Sequence, residues 1–259
     1  MELKFETLLA HENGPRLTLT ISRPHRANSI NSTLIRELGE ALDAAESSEH
    51  CRIVVLEGSP GVFCTGMDFQ ETATEPGQSA VESVRAAEYM NLLKRLALCS
   101  RIVIARLDGK VIAGGVGLAA ASDLTIATAR TEFSLSEALW GLLPCCVLPF
   151  LIRRVGFQKA YAMTLTTRAI SAAEAHAIQL VDELTEDPDE ALRKMSLRLT
   201  MIAPETVLDL KRYFQKMWFV SAEMERLAVD EITRLAAQPR VQQNIANYVT
   251  HRKFPWERT

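Results

Sequence analysis

Five cysteines stand among the 259 residues, an odd number, and no pair has the Cys-x-x-Cys spacing of a structural metal site. Adjacent Cys145-Cys146 leaves two readings open: a redox or metal role, or two free thiols in a reduced compartment. Basic charge is also lacking. With 29 Lys and Arg against 32 Asp and Glu, the net charge of −3 supplies no electrostatic footprint for nucleic acid. Arg153-Arg154 and His251-Arg252-Lys253 are small local clusters only. No apolar run reaches the roughly 18 residues of a membrane span. The opening Met1–Glu6 lacks the basic start and apolar core of a signal peptide. The expectation is a cytoplasmic protein with no membrane partner. Internal repeats and low-complexity tracts are absent as well. What is present is 47% hydrophobic and 24% charged residues, the balance of a chain with a large core.

Residues 16–21, RLTLTI, alternate and read as a strand. A helix is predicted from about Ser32 to Ala45, with Leu34, Ile35, Leu38 and Leu42 on one face. Apolar runs at 52–57, 102–106 and 124–127 read as buried strands, so strands alternate with helices in an α/β domain. TATEPGQS at 72–79 is polar, holds Pro-Gly, and reads either as a lid or as a plain connection. From residue 156 the pattern turns helical. Ser171-Ala172-Ala173-Glu174 has capping-box spacing, and further helices are predicted over about 190–202, 204–217 and 221–237. The division expected is a core over 1–190 and a helical segment over 191–259 that packs on a neighbouring subunit.

One stretch, IAGGVGLAAASD at 112–123, is built for close approach to its backbone. A phosphate loop needs Gly-Lys-Ser/Thr, whereas Gly115 is followed by Val116-Gly117. A dinucleotide fingerprint needs a third glycine where Ala120 stands. Phosphate binding fails on residue type. An oxyanion site fits better: a strand ends near Ile112, glycines turn, and amides at the start of a helix face a developing negative charge. A second turn, in FCTGMDF at 63–69, is expected to converge on the first.

FCTGMDF, DGKVIAGGVGLAAASD, FSLSEALWGLLP and ISAAEAHAIQLVDE, with RPHRANSIN at 23–31, together resemble the crotonase, or enoyl-CoA hydratase/isomerase, superfamily. The resemblance covers nearly the whole chain. It implies a ββα-superhelix core with a helical C-terminal trimerisation segment, assembly as homotrimers or hexamers, and an acyl-thioester substrate. Its oxyanion amides map onto Met67 and Gly114. Of the two glutamates of a typical hydratase, one maps onto Glu137 and the other onto Gly117. By its own residues Glu137 reads either as a solvated carboxylate, the reading the sequence alone favours, or as a base; the family spacing shifts this toward the base, whose pKa apolar neighbours would raise toward neutrality.

SLSEALWGLLPCCVLPFLIRR, QKAYAMTLTTRAIS, FCTGMDFQE and KFPWE are similar to one crotonase subgroup, the dehydratases of polyketide β-branching cassettes. This implies dehydration of 3-hydroxy-3-methylglutaryl-ACP to 3-methylglutaconyl-ACP. The carrier would be the phosphopantetheine of an acyl carrier protein (or CoA), with no other cofactor and no metal. A hydroxymethylglutaryl-synthase-like enzyme would act before it and a partner crotonase decarboxylase after it. Gly117 would then leave room for a branched, anionic acyl group. A glutamate there would repel the distal carboxylate by about 3 kcal/mol at ~5 Å and an effective dielectric of ~20. Asp68 either assists positioning or caps a helix, and Lys110 either pairs with the distal carboxylate or is exposed. Gly115 is placed with the oxyanion turn, and Cys145 and Cys146 are placed in the acyl pocket. His25, Arg26, Arg85 and Arg95 are candidates for a basic rim facing an acidic carrier, and Arg153-Arg154 for subunit contacts. A decarboxylase or isomerase of the same fold, and a non-catalytic scaffold, are the competing readings.

Overall fold

The computed structural model describes residues 4–73, 79–217 and 221–257. Strands β1 (Leu8–Asn13) and β2 (Arg16–Ile21) form an antiparallel hairpin. Helix α1 (Ser32–Ser47) follows, capped by the Asn31 side chain, with Leu34, Ile35, Leu38 and Leu42 buried. The chain then steps repeatedly between two sheets. Strand β3 (Ile53–Glu57) leads to β4 (Val62–Cys64), and helices α2 (Phe69–Ala73) and α3 (Ser79–Leu98) follow. β5 (Ile102–Leu107) leads to β6 (Lys110–Ile112) and α4 (Gly114–Ala121). β7 (Leu124–Ala127) leads to β8 (Glu132–Ser134) and the short α5 (Glu137–Trp140). After these come α6 (Leu148–Val155), α7 (Phe157–Thr166), β9 (Ile170–Ser171), α8 (Ala172–Ala177) and β10 (Glu183–Leu184). Helices α9 (Pro188–Leu199), α10 (Pro204–Gln215), α11 (Ala222–Ala236) and α12 (Pro239–His251) complete the described elements.

The larger sheet has the order β1-β2-β3-β5-β7-β10, parallel from β2 onward, and the smaller has the order β4-β6-β8-β9. The first strand of each pair thus enters the larger sheet and the second the smaller one. The large-sheet strands read as continuous apolar runs because both faces are covered. Along β3 and β5, Val54, Leu56, Val103 and Ala105 join the main core, while Ile53, Val55, Ile102 and Ile104 pack under α9 and α10 through Ala191, Leu192 and Val207. Residue 190 therefore marks a change of composition, and the cores on either side of it are shared. The C-terminal segment, expected to reach a neighbouring subunit, packs here on its own chain: α11 lies along α3, and α12 on α2 and α5.

The short strands β4, β6 and β8, of three residues each, are too brief to carry a period, so only their long partners are readable in the sequence. Helix α12 was also missed, since only Val241 and Ile245 mark its buried stripe. The lid reading of TATEPGQS rests on residues 74–78, which lie outside the described residues. Arg153 and Arg154, considered for subunit contacts, donate within the chain to the carbonyls of Ala120 and Ser122 and so tie down the end of α4.

Candidate active site

Strands β4, β6 and β8 are parallel neighbours, with Cys64, Val111 and Phe133 in one row. Three residues past Cys64 lies Met67, three past Val111 lies Gly114, and four past Phe133 lies Glu137. One sheet edge therefore brings together three groups more than twenty residues apart in sequence. Ligands of parallel sheets bind at this carboxyl end of the strands.

The first two are backbone amides. Gly66 adopts φ +87, and a Cβ on it would sit 2.8 Å from the Ala113 Cβ and 3.3 Å from the Gly114 nitrogen. Only glycine allows the two turns to touch in this way. Ala113 itself is held at φ 52, ψ −118, with its own amide bonded to the Ser134 carbonyl at 2.9 Å. Such a conformation costs an L-residue about 1–3 kcal/mol and persists because its surroundings fix it. It turns the next peptide out of the ladder, leaving the Gly114 amide as the first of helix α4. At Met67, the bridge to Ile30 uses the Gly66 carbonyl (2.7 Å) and the Asp68 amide (2.8 Å), so the Met67 amide faces away from it. Neither amide has an acceptor among the described residues. The RPHRANSIN segment is the strap that holds the Met67 turn: Asn28 Nδ2 donates to the Val62 carbonyl at 2.9 Å, and Arg23 Nη2 to Asp68 Oδ2 at 2.9 Å.

Glu137 opens α5 and its side chain enters a cavity of about 760 Å³. The residue is half-buried, but its Oε2 is buried with no partner among the described residues. Desolvation pushes its carboxyl from 4.5 up to about 7. The carboxyl is thus a base that can also carry a proton near neutrality. Met67, Gly114 and Glu137 line the same cavity, as the sequence reading requires.

The remaining expected site residues divide. Asp68 lines the cavity and serves as both cap and ion-pair partner, accepting from the Gln70 amide at 3.1 Å and from Arg23. Lys110 lines the mouth and is exposed. Cys145 and Cys146 line the pocket, with burial pushing their thiols up to about 11 and about 12, so both remain protonated. The two glycines require correction. Gly115 is buried away from the cavity, where a Cβ would lie 2.5 Å from the Cys64 carbonyl oxygen; it packs α4 on β4. Gly117, expected to leave space for substrate, leaves none: a Cβ there would meet the Tyr89 hydroxyl at 2.3 Å. Of the four candidate residues for a basic rim, His25, Arg26 and Arg85 line the mouth, whereas Arg95 pairs with Asp43 on α1.

Sequence reasoning missed the far wall. Trp140 meets Phe69, Tyr248, Trp256 and Phe254 at centroid distances of 4.8, 5.3, 5.7 and 6.0 Å, mostly edge to face. Arg252, in the left-handed conformation at the end of α12, brings a further cation to the mouth. The aromatic spacing in KFPWE was the available signal, but it is silent about which wall it builds.

Comparison with known proteins agrees with this geometry. The enoyl-CoA hydratase/isomerase family profile matches residues 15–259. The chain is 38% identical over 253 residues to the bacillaene synthase dehydratase PksH of Bacillus subtilis (strain 168), covering 98% of this chain and 97% of that protein. A crystal structure from Bacillus subtilis described as a polyketide biosynthesis enoyl-CoA hydratase (pksH) superposes with a TM-score of 0.89 at 36% identity, covering 97% of this chain and all of that one (100%). The 1,2-epoxyphenylacetyl-CoA isomerase of Escherichia coli (strain K12) is 30% identical over 185 residues, 70% of this chain and 71% of that protein.

Proposed function

The chain belongs to the enoyl-CoA hydratase/isomerase family and is an enzyme of its hydratase–dehydratase type, and from that premise we propose that it dehydrates 3-hydroxy-3-methylglutaryl-ACP to 3-methylglutaconyl-ACP in polyketide β-branching. The observation that carries this reading is Glu137, whose buried Oε2 has no partner among the described residues and whose carboxyl is pushed up to about 7, beside the Met67 and Gly114 amides in one cavity. The Met67 and Gly114 amides receive the thioester oxygen as it becomes an enolate. Glu137 takes the Cα proton and returns it to the departing β-hydroxyl, which leaves as water. The cations at the mouth (Arg26, Arg85, Lys110 and Arg252), with His25 beside them, suit an acidic carrier delivering phosphopantetheine. The PksH similarity supports the polyketide setting.

Purified protein incubated with hydroxymethylglutaryl-ACP is expected to lose water, read by mass spectrometry, with the CoA thioester in parallel to compare carriers. Loss of carbon dioxide without dehydration would assign the decarboxylase reading instead. No change in either thioester would favour a scaffold. The pH–rate profile follows from Glu137: with a carboxyl near 7, kcat/KM should rise about tenfold per unit below that midpoint and level off above it. A flat profile from pH ~5 to ~8 would require another base.

Assembly as trimers, or pairs of trimers, belongs to the same proposal. Phe157, Tyr161 and Leu165 form an exposed apolar stripe along α7, at 68%, 52% and 66% exposure, which a second copy would cover. Light scattering should give three or six times the chain mass of 28.8 kDa; a monomer would reject the assembly.

A further inference from the structure

Tyr89 belongs to none of the motifs in the sequence. It is 4% exposed, yet it lines the cavity from α3 beside Gly114 and Glu137. Its hydroxyl donates to the Gly114 carbonyl. A Cβ built on Gly117 would lie 2.3 Å from that hydroxyl oxygen, against 3.0 Å from Val147 Cγ2 and 3.4 Å from Leu93 Cδ1. The place to which the family resemblance assigns a second carboxylate is therefore filled, and what fills it is a phenol. Burial, with Cys64, Cys146 and Glu137 nearby, drives its pKa well above 10, so it stays neutral. With its one proton given to Gly114, the oxygen keeps lone pairs for an incoming donor. A neutral acceptor here adds no negative charge to a cavity that already holds the Glu137 carboxyl.

We propose that the Tyr89 hydroxyl orients the departing β-hydroxyl of the substrate, standing where a two-glutamate hydratase carries its second carboxylate. This rests on the reading of the substrate as a β-hydroxyacyl thioester. The substrate hydroxyl donates to Tyr89 Oη. Glu137 takes the Cα proton, the Cβ–oxygen bond breaks, and the proton passes from Glu137 to the leaving oxygen to form water. Tyr89 keeps its own proton throughout, so its part is to hold the leaving group on the face where Glu137 can reach it.

The test reads binding, in Glu137→Gln protein so that no ligand is consumed. Affinities are measured calorimetrically for hydroxymethylglutaryl-CoA and 3-methylglutaryl-CoA, which differ only in the hydroxyl. The hydroxylated ligand is expected to bind about 3–10-fold more tightly, the scale of one hydrogen bond, and Tyr89→Phe should bring the ratio close to one. Adding Gly117→Ser to Tyr89→Phe places a new hydroxyl in the vacated room and should restore part of the preference. A merely structural tyrosine would weaken both ligands equally. No preference with Tyr89 intact, or a preference that survives Tyr89→Phe, overturns the inference. If Tyr89→Phe does not fold, fluorotyrosine at the same position, a weaker acceptor of similar shape, should lower the ratio; an unchanged ratio overturns it equally. Because turnover is not read, failure to dehydrate the ACP substrate would overturn the functional reading by itself and leave this ratio to decide on Tyr89.

Discussion

Glu137→Gln is expected to cut dehydration by about 10²–10⁴-fold and, at the same time, to stabilise the protein above neutral pH. The activity loss follows because the amide cannot take the Cα proton, and no second carboxyl stands at position 117 to share the work. The stability gain follows from linkage. The wild-type carboxyl sits near 7 in the folded chain against 4.5 when unfolded. Between those values the folded state holds a proton that the unfolded state has released, so stability falls as pH rises through the window. Below about pH 4 both states are protonated and the variant should match the wild type; above about pH 8 it should be more stable, by roughly 3 kcal/mol at most. Denaturant unfolding at several pH values gives the curve. A variant less stable than the wild type above neutral pH, with the gap closing toward acid, would mean that Glu137 is stabilised as a carboxylate in the fold, and the desolvated base would have to be abandoned.

Gly117→Ala is expected to destabilise the protein by about 1–3 kcal/mol, and Gly117→Glu by more, without adding hydratase chemistry. The sequence reading, in which Gly117 leaves room for substrate, gives no reason to expect such a penalty from an alanine. In the fold, position 117 is on the buried helix α4, and the first atom of any side chain lands 2.3 Å from the Tyr89 hydroxyl. The ring end cannot simply rotate away, because Tyr89 packs in the main core and its hydroxyl holds Gly114. Moving it would disturb the turn that presents the oxyanion amide. The clash is specific, so it should couple: in a double-mutant cycle, Tyr89→Phe should remove much of the Gly117→Ala penalty. Additive penalties from urea titrations would show that position 117 is not limited by Tyr89.

Much of this site was written in the sequence. FCTGMDF and IAGGVGLAAASD announce turns because glycine is needed wherever backbones touch, and Gly66 at φ +87 against Ala113 bears that out. Glu137 was legible only from the family resemblance and its apolar neighbours taken together, and burial raises its carboxyl in the direction expected. The elements with long periods, α1, β3, β5 and α11, were readable because each commits one or both faces to a core over five residues or more.

What the sequence could not supply was adjacency. Met67, Gly114 and Glu137 meet because β4, β6 and β8 run side by side, and three-residue strands leave no periodic trace of that pairing. Tyr89 was invisible for a related reason. A buried tyrosine on a helix reads as core, and only the close packing of α3 on α4 turns its hydroxyl toward Gly114 and Gly117. The absence of a side chain at 117 was plain from the sequence, but the sequence could not say what fills the space. A missing side chain is a local fact, whereas the volume it leaves is shared among every element packed around it, so only the tertiary structure could assign that volume to Tyr89 and not to the substrate.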